Sequence, residues 1–183
     1  MTGRVYLAGP EVFLPDADAL FTRKKAICAA AGLVGVSPFD NEVGAMEGRL
    51  PMALAIYQGN IGAMESCEAA IANITPFRGV SLDAGTAFEV GYMCALGRPV
   101  VAYSADATGY AERTRAAAAD NPLVAAEASL NVEEFGLIEN LMIACGIEES
   151  GGRCFLPERP LDDRWRDLSL FGQCVKATAA LLR

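Results

Sequence analysis

Asp83 and Glu89 lie in Ser81-Leu-Asp-Ala-Gly-Thr-Ala-Phe-Glu-Val-Gly-Tyr92, around a small-residue turn that opens a helix. Two acids at different positions relative to a helix start can have different environments. One then gives a proton while the other attacks as an anion. The chain has no histidine. That removes Ser-His-Asp and Cys-His nucleophiles and imidazole metal sites. Acid–base work near neutral pH falls to carboxylates, Lys, Tyr, Cys or a ligand's own atoms. Gly85 and Ala84 allow a ligand to approach the backbone closely. The partial positive charge of a helix N-terminus would help to keep Glu89 ionised. Thr86-Ala-Phe-Glu89 also fits the capping box S/T-x-x-E, in which the Glu reaches back to the cap's own N–H. A Glu engaged in that cap cannot attack a substrate from the same rotamer.

The elements that must position these side chains follow from apolar spacing. Short strands are expected at 4–8, 33–36, 69–74 and 99–103, and helices at 16–31, 51–64 and 86–96, the last closed by Gly97. Helices are also expected at 132–145 and 167–182, whereas 153–160 gives no clear signal. Strands alternating with helices predict a parallel sheet with helices on both faces. Ligands of such sheets bind beyond the carboxyl ends of the strands. The polar residues there are Gly9, Pro10 and Glu11 after the first strand, Asp40, Asn41 and Glu42 after the second, and the Ser81–Glu89 segment after the third.

At 183 residues and 52% apolar, the chain suits one domain with a sizeable core. Its net charge of −8 disfavours nucleic acid as a partner. No apolar run suits a membrane span or a signal peptide. Six cysteines without a close pair read as reduced thiols, and a cytoplasmic location is expected. Neither a dinucleotide-binding glycine fingerprint nor a P-loop follows the first strand, which disfavours nicotinamide and nucleoside triphosphate enzymes.

Five pieces in order, Val5-Tyr-Leu-Ala-Gly-Pro-Glu-Val-Phe13, Ser37-Pro-Phe-Asp-Asn41, Ser66-Cys-Glu-Ala-Ala70, Ser81–Tyr92 and Glu139-Asn-Leu-Met142, resemble the nucleoside 2-deoxyribosyltransferase family. The Asp-x-Gly-Thr-Ala-x-Glu-x-Gly element is the most specific. The resemblance implies a doubly wound, flavodoxin-like sheet and exchange of the base of a 2′-deoxyribonucleoside. By that similarity Glu89 is the nucleophile at C1′, Tyr6 orients it, and Asp83 helps to protonate the leaving base. Phe13 and Glu42 line the base pocket, and Glu68 lies near the base. Gly9, Asp40, Gly85 and Met142 complete the substrate contacts. Asn140 reaches a neighbouring subunit's pocket, which implies a homo-oligomer. The partners implied are deoxynucleosides and free nucleobases, with no metal or organic cofactor.

Two rival readings follow. One is a hydrolase of 2′-deoxynucleoside 5′-monophosphates, with Ser81, Arg23 or Arg78 as phosphate donors. Glu11 in the first loop would repel that phosphate. The other is a noncatalytic nucleoside sensor, for which two adjacent carboxylates bring little gain.

Overall fold

The computed structural model describes residues 3–41, 48–120 and 130–183. Strand β1 (Arg4–Ala8) sends Val5 and Leu7 into one hydrophobic core and Tyr6 and Ala8 into another. Such two-sided burial is expected of a strand with helices on both faces. The same division continues through β3 (Ala69–Asn73) and β4 (Val100–Tyr103), with Ile71, Val101 and Tyr103 in one core and Ala70, Ala72, Val100 and Ala102 in the other. With β2 (Val34–Val36) and β5 (Arg153–Phe155) these make a five-stranded sheet in the order β2-β1-β3-β4-β5. Every pairing is parallel. This is the flavodoxin-like order, and the strand order reverses between β1 and β3.

Helices α1 (Ala17–Ala30) and α6 (Ser169–Leu181) cover one face through Phe21, Cys28, Phe171 and Val175. On the other face α2 (Arg49–Glu65), α3 (Ala84–Ala95) and α5 (Leu141–Glu149) contribute Met64, Val90, Met93 and Ile147. Helix α4 (Tyr110–Asp120) inserts Arg113 behind the carboxyl end of the sheet.

Three expectations change. Helix α3 starts at Ala84 rather than Thr86, because Asp83 caps it by accepting the Thr86 N–H at 3.1 Å. The helix expected from 132 is α5, and it starts only at Leu141. Gly136 holds a positive φ of 68°, and Asn140 caps the helix by accepting the Met142 N–H at 3.0 Å. The unread tail supplies β5. Gly152 leads into it so close to β4 that a Cβ there would collide with the Val100 carbonyl. The alanine-rich stretch 116–128 runs into α4 and then outside the described residues.

All six cysteines are free; only Cys145, on α5, is exposed. Burial pushes the Cys28 thiol up to about 11 and that of Cys154 to about 12. Among the described residues no helix is long and apolar enough to cross a membrane, and no cluster of His, Cys, Asp or Glu is set to hold a metal.

Candidate active site

Tyr6 is fully buried in β1, and a buried phenol needs a hydrogen-bond partner. It finds one in Glu89: the Tyr6 hydroxyl donates to Glu89 Oε1 at 2.6 Å. Glu89 is therefore not in a capping box. With the cap at Asp83, it lies in the second turn of α3 and faces the sheet. The expectation that the helix N-terminus holds it ionised also changes, since that field falls off within the first turn. Burial dominates and raises the Glu89 carboxyl to about 7. The Tyr6 hydrogen bond opposes the rise, and the nearby Asp83 charge adds to it. Burial, and then Glu89, pushes the Tyr6 phenol far above its ordinary value, so it stays a neutral donor.

Glu89 and Asp83 line one cleft of about 500 Å3 with Gly9, Phe13, Gly85 and Asn60. The cleft opens at the carboxyl ends of β1 and β2, beside the point where the strand order reverses. Asp83 caps α3 through Oδ2, and its Oδ1 makes no hydrogen bond among the described residues. A Cβ at Gly85 would come within 3.0 Å of Asp83 Oδ2, so glycine keeps that carboxylate uncrowded. At Gly9 a Cβ would strike the Glu11 carboxylate and lie 2.9 Å from Asn73 Cβ.

The turn Pro10–Phe13 is anchored from below. Glu11 is completely buried, accepts from Lys24 Nζ at 2.5 Å and accepts the Tyr103 hydroxyl at 2.7 Å. Burial alone would raise the Glu11 carboxyl. The Lys24 charge and these hydrogen bonds outweigh it and hold the group below its ordinary value. Lys24 is itself buried, and its ammonium lies 5.1 Å from both the Phe21 and Phe171 ring centres. Glu11 thus faces Lys24 rather than the cleft, and the repulsion expected between it and a phosphate does not arise.

Other expected site residues lie elsewhere. Glu68 sits at the amino end of β3, exposed on the rim opposite the cleft, and accepts the Arg4 N–H at 2.6 Å. A residue preceding a parallel strand cannot reach the carboxyl rim. Asp40 caps the turn Pro38–Asp40 by accepting the Ser37 N–H at 2.8 Å, and it pairs with Lys25. It does not line the cleft. Asn140 caps α5 and donates to Glu133 at 3.0 Å, and Met142 is 74% exposed. Neither lines this cleft. Glu42 lies outside the described residues.

A buried pair behind the cleft was not anticipated. Glu139 accepts from Ser81 Oγ at 2.7 Å, Leu82 N at 3.1 Å, Asn140 N at 2.9 Å and Arg113 Nη2 at 3.1 Å. Arg113 also donates to the Val80 and Ile138 carbonyls, both at 2.8 Å. The pair ties the loop before Asp83 to the start of α5. Glu139 opens the Glu139-Asn-Leu-Met142 piece, which was the available signal for it; nothing in the sequence marked Arg113.

Residues 5–142 match the profile of the nucleoside 2-deoxyribosyltransferase family. The chain belongs to that family. A 2-desoxiribosyltransferase from Leishmania mexicana superposes with a TM-score of 0.66 at 30% identity, over 95% of this chain and 97% of that one. A conserved protein from Enterococcus faecalis shares the fold at a TM-score of 0.56 and 22% identity, over 86% and 93% of the two chains. An uncharacterized protein of Schizosaccharomyces pombe is 42% identical over 115 residues, which are 61% of this chain and 54% of that protein. The match thus spans about half the length of this curated relative. In this chain the family's fold stands together with a cleft lined by Glu89 and Asp83, with Tyr6 buried beneath it on Glu89.

Proposed function

We propose that the chain exchanges the base of 2′-deoxyribonucleosides through a covalent glycosyl-enzyme on Glu89. The observation that carries this reading is the hydrogen bond from the buried Tyr6, beneath the cleft, to the cleft-lining Glu89. It holds one carboxylate oxygen and leaves Oε2 without a protein partner among the described residues. Glu89 Oε2 attacks C1′, the C1′–N bond breaks, and its electron pair passes to the base. Asp83, at the same cleft, delivers a proton to bases that need one to leave. A second base then attacks C1′ through its nitrogen, its N–H proton returns to the Asp83 carboxylate, and the Glu89 carboxylate departs. Two inversions give retention, as in the double displacement of retaining glycosidases. The absent 2′-hydroxyl favours the reaction, because that group withdraws electrons from an oxocarbenium-like transition state. The ionised Glu89 faces the developing positive charge, an electrostatic stabilisation worth more in a site shielded from water.

Membership of the family supports the substrate class. Glu89→Ala is expected to remove exchange between a deoxynucleoside and a second free base, followed by chromatography of both products. Intact mass is expected to show a deoxyribosyl adduct on the wild type and none on the variant. A folded Glu89→Ala chain that still exchanges bases would sink the assignment.

A second reading is hydrolysis of 2′-deoxynucleoside 5′-monophosphates. It is favoured by the pairing of Glu11 with Lys24, which leaves no uncompensated negative charge in the first loop to repel a phosphate. Deoxyuridine and its monophosphate, each with and without adenine, separate the two. Exchange only with adenine supports the transferase; loss of base to water from the monophosphate supports the hydrolase.

We also propose that copies of the chain assemble, with Asn140 and Met142 serving a neighbour's cleft. The exposure of Met142 supports this, as do the half-exposed Leu54, Tyr57 and Phe88 on α2 and α3.

A further inference from the structure

Resting on base exchange at this cleft, we propose that Arg78 is a positioning residue that holds the Phe13 ring as a stacking wall for the base. Phe13 lines the cleft and is 55% exposed, so nothing on its open side fixes the ring. Its other contacts form a ladder. Phe13 stacks on Phe77 with centroids 5.4 Å apart and planes 11° from parallel. Phe77 meets the edge of Trp165 at 6.0 Å. The Arg78 guanidinium lies over both stacked rings, 5.0 Å from the Phe13 centroid and 4.6 Å from that of Phe77. It makes no hydrogen bond or ion pair among the described residues. The rings are its partners.

The backbone gives an independent sign. Arg78 has a φ of 56°, alone among the non-glycine residues described. Such a conformation is unfavourable for a residue with a Cβ, and Gly79 stands next in the chain. The left-handed turn at Arg78 aims the side chain back over Phe13. The far end of the ladder is held as well: Arg164 lies 4.9 Å over the Trp165 ring and donates to the Pro76 carbonyl at 2.9 Å. The carboxyl-terminal part of the chain therefore braces the wall against which a base would stack.

The test uses the full chain with Arg78→Gln, Arg78→Lys, Arg78→Gly, Phe13→Ala and the double variant Phe13→Ala/Arg78→Gln. With 2′-deoxyadenosine, Arg78→Gln is expected to raise KM about five- to ten-fold with kcat within about two-fold, the size of an exposed cation–π contact on two rings. The effect is smaller with 2′-deoxycytidine, whose base overlaps less of the ring. Lys restores part of the loss, since an ammonium also attracts the ring face. Gly relieves the backbone but restores nothing. In the Phe13→Ala background Arg78→Gln adds no further loss. Trp165 is the single tryptophan. Its emission and the near-ultraviolet dichroism shift in Arg78→Gln, and shift less in the Phe13→Ala background, where only Phe77 remains under the guanidinium; an equal shift in both backgrounds would show that Arg78 does not order Phe13.

Fully additive losses, or wild-type behaviour of Arg78→Gly, would overturn the proposal. So would a loss confined to 2′-deoxyadenosine 5′-monophosphate, which would make Arg78 a phosphate contact. If the wild type turns over no deoxynucleoside, base exchange fails as the function. The dichroism of the same variants then still decides whether Arg78 orders Phe13.

Discussion

As the proposed nucleophile, Glu89 must be an anion, yet burial raises its carboxyl to about 7. The sign follows directly: a raised carboxyl is protonated below that value, so the nucleophile is lost as pH falls through it. For the free enzyme, kcat/KM is expected to drop about tenfold per pH unit below about 7. Tyr6 works in the opposite direction, because its hydrogen bond favours the ionised form. Tyr6→Phe is therefore expected to move the acid limb to higher pH and to lower kcat/KM at pH 7 about tenfold or more. Unchanged limbs in the pH–rate profiles of both chains would show that Tyr6 does not tune Glu89. That Asp83 and Glu89 share one cleft was legible from the small residues between them and their place after the third strand. Which of Asp83 and Thr86 caps the helix was not, since both are good N-caps. Local hydrogen bonding decided it, and that freed Glu89. For Glu68 the order of motifs misled where strand geometry did not: a residue before a parallel strand belongs to the far rim.

The turn carrying Gly9 and Phe13 has little of its own to hold its shape. Its stability comes from Glu11, inserted beneath it onto Lys24 of α1 and Tyr103 of β4. Removing one partner of such a pair leaves a buried charge. Lys24→Met is expected to destabilise the chain by about 3–5 kcal/mol, read by urea denaturation at neutral pH. Glu11→Gln/Lys24→Met should recover most of that loss. A Lys24→Met chain as stable as the wild type would show that the pair does not anchor the turn. The depressed Glu11 carboxyl sets the pH dependence. Its contribution is present above the ordinary carboxylate range and is lost as pH falls through its lowered value, so the Lys24→Met penalty shrinks in acid. The sequence puts Glu11 after a strand, at the mouth where a ligand would bind, and Lys24 in a helix, and nothing in it pairs the two. Only the packing of α1 on the sheet brings them together. Strands β1 to β4 were legible because apolar runs bounded by glycine or proline are strong local signals. Helix α5 began late because its apolar spacing extends back past Gly136, whose backbone the spacing does not register.

Across the whole molecule the parallel sheet gives two unlike rims. One carries the cleft; the other carries Glu68, Arg4 and Ser66 in a local hydrogen-bonded group. The alternation of strands and helices made the sheet readable. Residues 153–155 escaped because three residues give no period, and their pairing with β4 depends on the close approach at Gly152. Cys145 turns the question of assembly into chemistry. It is the exposed thiol of six, one turn beyond Met142 on α5, while the others are buried or half-buried. A small alkylating reagent should modify one cysteine quickly, identifiable by peptide mass. If copies meet over α5, that reaction slows as protein concentration rises, and a rate independent of concentration removes α5 from the contact. The native chain thus carries its own footprinting probe at the surface where a neighbour would sit, with no residue to engineer.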